Sequence, residues 1–215
     1  MNIQQEYLIH RGGCLMKITQ DIYDTAIFLS RCVYYEIEGV YPKPYDKCLT
    51  FEAKYTGLKM NVFDMGDYHI AVLCGTNDWH DVIADVKVGL HIIPRQLHRA
   101  KEAIHKLEEK PIVFVGHSLG GFLAGMLHSV FKHKSCAICL NPCGYRHLLR
   151  DEEELNILNV ITKHDILNNI TRNIPFAKKY LQLLGEIVIL EDRYWFPLSI
   201  KAHSDFTSMA QHRVE

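Results

Sequence analysis

A serine flanked by glycines stands near the middle of the chain. Residues 116–121 read Gly-His-Ser-Leu-Gly-Gly, which matches G-x-S-x-G around Ser118. An apolar run at 112–115 precedes this motif, and a helix-forming stretch at 122–131 follows it. In such a strand–turn–helix setting, a sharp turn lifts the serine hydroxyl above the sheet and aims the next backbone N–H at a reacting oxygen. The pattern predicts a nucleophilic serine, with the Leu119 N–H as an oxyanion-hole donor.

Two other interpretations of this glycine-rich segment stay open. It could be an ordinary strand-to-helix turn with no chemistry, since the motif is short. A phosphate-binding loop is the weaker alternative, because the lysine of G-x-x-x-x-G-K-[ST] is missing.

A serine is a poor nucleophile at neutral pH, so it needs a base and an acid that orients the base. In this setting the chain order is serine, acid, histidine. Asp165 follows a strand-like run at 155–161 and is the predicted acid, with Asp192 after the next strand as the alternative. His203 lies between the last predicted strand and the last predicted helix, and it is the predicted base. His164 precedes the acid, so its order is wrong.

The second oxyanion donor should come from a loop after an earlier strand. Gly75 and Thr76 follow the strand-like run 68–74, so the Thr76 N–H and hydroxyl are the candidates, with a simple turn as the alternative.

The segment 194–197, Tyr-Trp-Phe-Pro, precedes the candidate base. Its aromatic residues suit an apolar acyl group or peripheral contact with a lipid surface.

The elements that must position these residues alternate between strand and helix. Apolar strands separated by helices predict an α/β fold, with three α/β/α layers around a mostly parallel sheet and an antiparallel hairpin near the start. We find no linker, so residues 16–215 are predicted to be one domain. Residues 1–15 are an uncertain leader, because Met16 opens a second plausible start. The predicted strands are 58–63, 68–74, 112–115, 135–140, 155–161 and 185–190, and the predicted helices are 21–35, 79–88, 94–109, 122–131, 176–184 and 203–212.

Composition narrows the class of protein. The 215 residues suit one ordinary domain, and 24 basic against 25 acidic residues leave no positive excess for binding nucleic acid. The 13 histidines show no metal-ligand pattern such as H-E-x-x-H, so we expect neither a metal nor an organic cofactor. The sequence contains no stretch of 18 apolar residues, so no membrane-spanning helix is predicted.

The 7 cysteines are an odd number, and most lie in apolar segments. We therefore expect reduced thiols of a cytoplasmic protein. Cys136, Cys139 and Cys143 have a metal-like spacing, but strand alternation places the first two on opposite faces of a strand. Core packing is therefore the preferred interpretation.

The chain resembles the fungal-type (class 3) lipases of the α/β-hydrolase fold over residues 18–210. The resemblance is carried by segment 116–121 and by Gly75-Thr76 with Trp79 and Asp85 after it. It is also carried by Asn141-Pro-Cys-Gly144, by Asp165-Ile166, by a histidine near the C-terminus, and by Leu29, Ser30 and Tyr34 in the first helix. Cys74 stands where the family usually has arginine.

This resemblance implies an α/β-hydrolase fold and a serine hydrolase that cleaves lipid-like carboxylic esters without a cofactor. Position by position, it implies Ser118 as nucleophile, Asp165 as acid, His203 as base, and Thr76 and Leu119 as the oxyanion hole. The alternatives are a thioesterase, acyltransferase or peptidase on the same triad, or a non-catalytic binding module of this fold.

Overall fold

One mixed β-sheet organises the part of the chain that the computed structural model describes. That part comprises residues 16–34, 46–53, 58–74, 97–107, 109–142, 144, 155–166, 183–191, 206–211 and 214. Its strands lie in the sheet in the order in which they occur along the chain. They are β1 (Asp46–Ala53), β2 (Leu58–Asp64), β3 (His69–Cys74), β4 (Ile112–His117), β5 (Ser135–Leu140), β6 (Ile157–Thr162) and β7 (Glu186–Leu190).

The first three strands are antiparallel, and β3 to β7 run parallel to one another. The predicted hairpin is confirmed as β2–β3. Gly66 makes its turn with φ of 88°, and the Gly66 N–H and the Lys110 ammonium bond the Asp64 carboxylate at 2.9 and 3.2 Å. These two donors hold the pKa of Asp64 below its usual value. Strand β1 was not predicted, although residues 49–53 alternate apolar and polar types, and a bulge between Lys47 and Leu49 interrupts its pairing.

Helices cover both faces of the sheet. They are α1 (Gln20–Tyr34), α2 (described over 97–104), α3 (Leu119–Val130) and α4 (Phe206–Gln211), with a short 3₁₀ turn at Lys132–Lys134. Helices α2 and α3 pack on one face and α1 and α4 on the other. The predicted three-layer architecture is therefore confirmed.

The middle strands are buried along their whole length, as expected for a parallel sheet covered on both sides. Phe114 and Cys139 belong to the core under α3, whereas Val113 and Cys136 belong to the core under α1. Cys136 and Cys139 therefore lie on opposite faces of β5, as predicted. Both are buried and outside any disulfide, as are Cys32 and Cys74, while Cys143 lies outside the described residues.

Several predicted boundaries were wrong by a few residues. Strand β4 continues to His117 rather than ending at 115, and α2 ends at 104, before a turn. Helix α3 begins at Leu119, before the predicted 122, because the carbonyl of Ser118 already accepts the N–H of Phe122 at 3.1 Å. Residues 183 and 184 are not helical. The predicted helix 79–88 and residues 176–182 lie outside the described residues.

His128, on the buried face of α3, bonds residues at the N-terminal ends of β5 and β6. Its Nε2 accepts the N–H of Asn156 at 3.0 Å, so the ring proton is on Nδ1 and is donated to Ser135 Oγ at 2.9 Å. That hydroxyl in turn donates to the carbonyl of Phe131 at 3.0 Å. Burial, with a smaller contribution from the Lys132 charge, lowers the pKa of His128 to about 4. The neutral ring thus joins α3, β5 and the residue before β6.

We expect acid to destabilise the fold through this ring. In the unfolded chain the imidazole binds a proton near its ordinary pKa of 6.5, whereas in the fold it stays neutral to about pH 4. The unfolded state therefore binds more protons in this window, and about 3 kcal/mol of stability is present above pH 6.5 and lost as the pH falls to 4. Urea unfolding at pH 7, 5.5 and 4.5 measures this loss. A His128→Asn variant should be less stable at pH 7 and flatter across the window, and an unchanged slope would contradict the assignment.

Candidate active site

The turn between β4 and α3 holds Ser118 in a strained backbone conformation, with φ of 57° and ψ of −122°. A positive φ is uncommon for a residue with a side chain and costs about 1–3 kcal/mol, so it persists only where neighbouring contacts enforce it. Here the Ser118 N–H donates to the Leu140 carbonyl at 2.9 Å, and its carbonyl accepts the Phe122 N–H. The side chain is buried, and its Oγ has no hydrogen-bond partner among the described residues.

Two glycines of the motif are required by close backbone packing. A Cβ at Gly116 would overlap the backbone carbonyl of Gly120. A Cβ at Gly121 would lie 2.9 Å from the Gly116 oxygen and 3.2 Å from the Pro142 side chain. Side chains at these two positions would therefore collide with the turn itself and with the residues that follow β5.

The oxyanion-hole prediction is only partly within the described chain. Leu119 is the first residue of α3, where helix N–H groups have no acceptor inside the helix and carry the positive end of the helix dipole. Its N–H belongs to the residue directly after the serine, as the oxyanion-hole prediction requires. Strand β3 is parallel to β4 and ends at Cys74, beside the elbow, the turn between β4 and α3 that carries Ser118. Thr76 lies outside the described residues and stays a prediction.

Asp165 is fully buried just past the end of β6. Strand β6 ends at Thr162, a turn follows, and the Asp165 N–H donates to the Thr162 carbonyl at 3.0 Å. Because β4, β5 and β6 are parallel, their C-terminal ends meet at one edge of the sheet. The serine turn and the acid turn are therefore at the same edge, two strands apart. The base His203 and the alternative acid Asp192 lie outside the described residues and stay predictions.

Helix α1 contacts this edge and also contacts the helix that follows the candidate base. The rings of Tyr34, its last residue, and His117, just before the serine, meet edge to face with centroids 4.9 Å apart. Farther along α1, the Tyr23 hydroxyl donates to the Met209 carbonyl of α4 at 2.9 Å, and burial raises the pKa of Tyr23 so that its phenol stays protonated. Helix α4 begins three residues after His203. The contact therefore fixes the helix that follows the candidate base.

The described ranges contain neither a metal-binding cluster nor a membrane-spanning helix. Within them, no three His, Cys, Asp or Glu side chains are grouped so that they could hold a metal ion. Among the described helices, none has the length and apolar character to cross a membrane.

Comparison with known proteins gives a clear answer for structure but not for sequence. No protein-family model matches the chain, and no curated protein sequence matches it. In structure it is similar to the propeptide complex of Rhizomucor miehei lipase, with a TM-score of 0.59, 12% identity, and 88% of this chain and 78% of that one covered. It is also similar to a triacylglycerol lipase from Penicillium expansum, with a TM-score of 0.58, 13% identity, and coverage of 79% and 78%.

A lipase from Rhizopus microsporus var. chinensis is a third similar structure, with a TM-score of 0.53, 14% identity, and 87% of this chain and 83% of that one covered. At identities this low, the structural similarity establishes the fold alone. The chemistry has to be argued from the residues described above. The expected fold is confirmed: the chain has the α/β-hydrolase fold in the form that fungal lipases share.

Proposed function

We propose that the protein is a serine hydrolase that cleaves carboxylic esters of lipid-like substrates. The observation that carries the proposal is the strained backbone of Ser118, enforced by Leu140 and by the glycine contacts, with a buried hydroxyl that has no hydrogen-bond partner among the described residues. An enforced strain of this kind at a strand-to-helix turn is typical of a nucleophile elbow.

In the proposed reaction, His203 takes the proton of Ser118 as the hydroxyl attacks the ester carbonyl. Asp165 orients His203 and stabilises its charged form, and the N–H groups of Leu119 and Thr76 stabilise the oxyanion. His203 then protonates the leaving alcohol. Water, activated by His203 in turn, hydrolyses the acyl-enzyme and frees the acid. The burial of Asp165 at the edge that also holds the serine supports its role.

The substrate class rests on two supports. The similar structures are named as lipases, one of them a triacylglycerol lipase. The aromatic segment 194–197 before His203 suits an apolar acyl group, and it would also suit contact with a lipid surface. A thioesterase, acyltransferase or peptidase could use the same residues, because the fold does not set the leaving group.

Reaction with a fluorophosphonate probe tests the nucleophile. We expect the folded protein to be labelled once, and peptide mass spectrometry should place the label on Ser118. Labelling of His203→Ala should be strongly reduced, since the base is missing. No labelling of the wild-type protein, or a label on another serine, would overturn the proposal in favour of a non-catalytic binding module.

A panel of p-nitrophenyl esters of increasing chain length, with a phospholipid added, tests the substrate class. We expect hydrolysis that depends on acyl length. Labelling at Ser118 without any chain-length preference would contradict a lipid-like substrate and leave the serine chemistry intact.

A further inference from the structure

Asn141, directly after β5, is a buried asparagine in an unusual conformation. Its side chain is fully buried and its backbone has φ of 42°. Its own N–H donates to the Val160 carbonyl at 2.9 Å, which is the last bond of the ladder between β5 and β6. In the sequence it opens the segment Asn141-Pro-Cys-Gly144.

Beyond that bond, the side chain of Asn141 replaces the backbone. In a parallel ladder the next partner of the Thr162 N–H would be the backbone carbonyl of Asn141. Instead Asn141 Oδ1 accepts this N–H at 2.8 Å, and Asn141 Nδ2 donates to Thr162 Oγ1 at 3.0 Å. A backbone N–H can only donate, so the orientation of the amide is fixed. The side chain thus extends the pairing of β6 by one step after β5 has turned away.

The two ends of this link are the two turns of the candidate site. On one side, Leu140 accepts the N–H of Ser118 at 2.9 Å. On the other side, the carbonyl of Thr162 accepts the N–H of Asp165 at 3.0 Å. Asn141 therefore follows the residue bonded to the serine backbone, and it bonds the residue that closes the acid turn.

We propose that Asn141 is a positioning residue, which sets the acid turn carrying Asp165 at a fixed place relative to the elbow carrying Ser118. The inference rests on the proposed function. Without the amide, the Thr162 N–H loses its acceptor and the turn after β6 is free to shift. A shift of about 1 Å in a catalytic group is enough to cost on the order of 100-fold in rate.

Asn141→Gly is the sharpest test, since glycine removes the amide and also suits a φ of 42°. We expect kcat on a p-nitrophenyl ester and the rate of fluorophosphonate labelling to fall together by about 10- to 100-fold, with KM within about twofold of wild type. Asn159→Ala is the matched control. Asn159 is also a buried asparagine, and its amide donates to the carbonyls of Leu184 and Glu186, which lie at the start of β7. That variant should melt at a lower temperature and label at the wild-type rate.

Thr162 provides the second arm of the test, which holds if Asn141→Gly does not fold. Thr162→Val keeps the shape and removes the hydroxyl that Asn141 Nδ2 binds, whereas Thr162→Ser keeps a hydroxyl. We expect the valine variant to label more slowly than the serine variant. Labelling within twofold of wild type in both Asn141→Gly and Thr162→Val, with melting temperatures lowered, would show a purely structural role and overturn the inference. Equal labelling of wild type and a chain that lacks the Ser118 hydroxyl would instead overturn the proposed function.

Discussion

Replacement of Ser118 by alanine is expected to lower ester hydrolysis by a factor on the order of 10⁴ to 10⁶, with the fold intact. The hydroxyl is the atom that would form the acyl-enzyme, so no neighbouring group replaces it. The same change should not lower the melting temperature. Ser118 Oγ is buried with no hydrogen-bond partner among the described residues, so its removal ends a desolvation cost and breaks no described bond.

Ser129, in the same helix α3, provides a matched control. Its hydroxyl donates to the Met126 carbonyl at 2.7 Å, far along the helix from the elbow. Ser129→Ala should keep wild-type kcat and KM, measured on the same ester beside circular dichroism melts of both variants. Residual activity of Ser118→Ala above about 1% of wild type would mean that another residue is the nucleophile.

Gly116→Ala is expected to have the largest effect on the fold of any single methyl group added to the elbow. The new Cβ would overlap backbone atoms of Gly120, which cannot move aside as a flexible side chain would. Either α3 shifts away from β4 or the turn opens, and overpacking of this kind costs about 3 kcal/mol. Because the turn also positions the nucleophile, the fraction that stays folded should label with the fluorophosphonate probe at least 10-fold more slowly than wild type.

Gly66→Ala separates this collision from backbone strain. Gly66, in the β2–β3 turn, has φ of 88°, but a Cβ there would have no atom of the described residues within 4 Å apart from those of its chain neighbours. Its substitution should cost about 1–2 kcal/mol and leave the labelling rate unchanged. Chemical unfolding of both variants gives the comparison. If Gly116→Ala is no less stable than Gly66→Ala and labels normally, the tight packing of the elbow is not required.

The features that could be predicted from the sequence are those encoded within a few neighbouring residues. The elbow is local: an apolar run, a glycine pattern and a helix-forming run follow one another, so its place between β4 and α3 could be predicted. The hairpin around Gly66 is local as well. Strand β1 was missed although it carries a local signal: residues 49–53 alternate apolar and polar types. The bulge between Lys47 and Leu49 confines that alternation to five residues.

The interactions that join distant parts of the chain left no readable signal. Asn141, before a proline, has the sequence of a simple turn, and its bonds to Thr162 exist only because β5 and β6 are neighbours in the sheet. His128 is one of 13 histidines, and its pairing with Asn156 arises from tertiary packing. The acid and base were predicted from their order in the chain and from their places after predicted strands. For Asp165, the structure adds burial at the expected edge.

The order of the strands has a consequence for how the polypeptide folds as it is synthesised. Each described strand after the first lies beside the one made just before it, so none of these later strands waits for a partner that is still to come. The sheet can grow by addition at one advancing edge, and each closure joins strands that are consecutive in the sequence, which keeps its entropic cost low. Until the next strand arrives, that edge is open to pairing with other chains. Strand β4 is buried along its whole length in the finished sheet, whereas β7 is largely exposed, so slow translation after β4 should raise aggregation more than slow translation after β7.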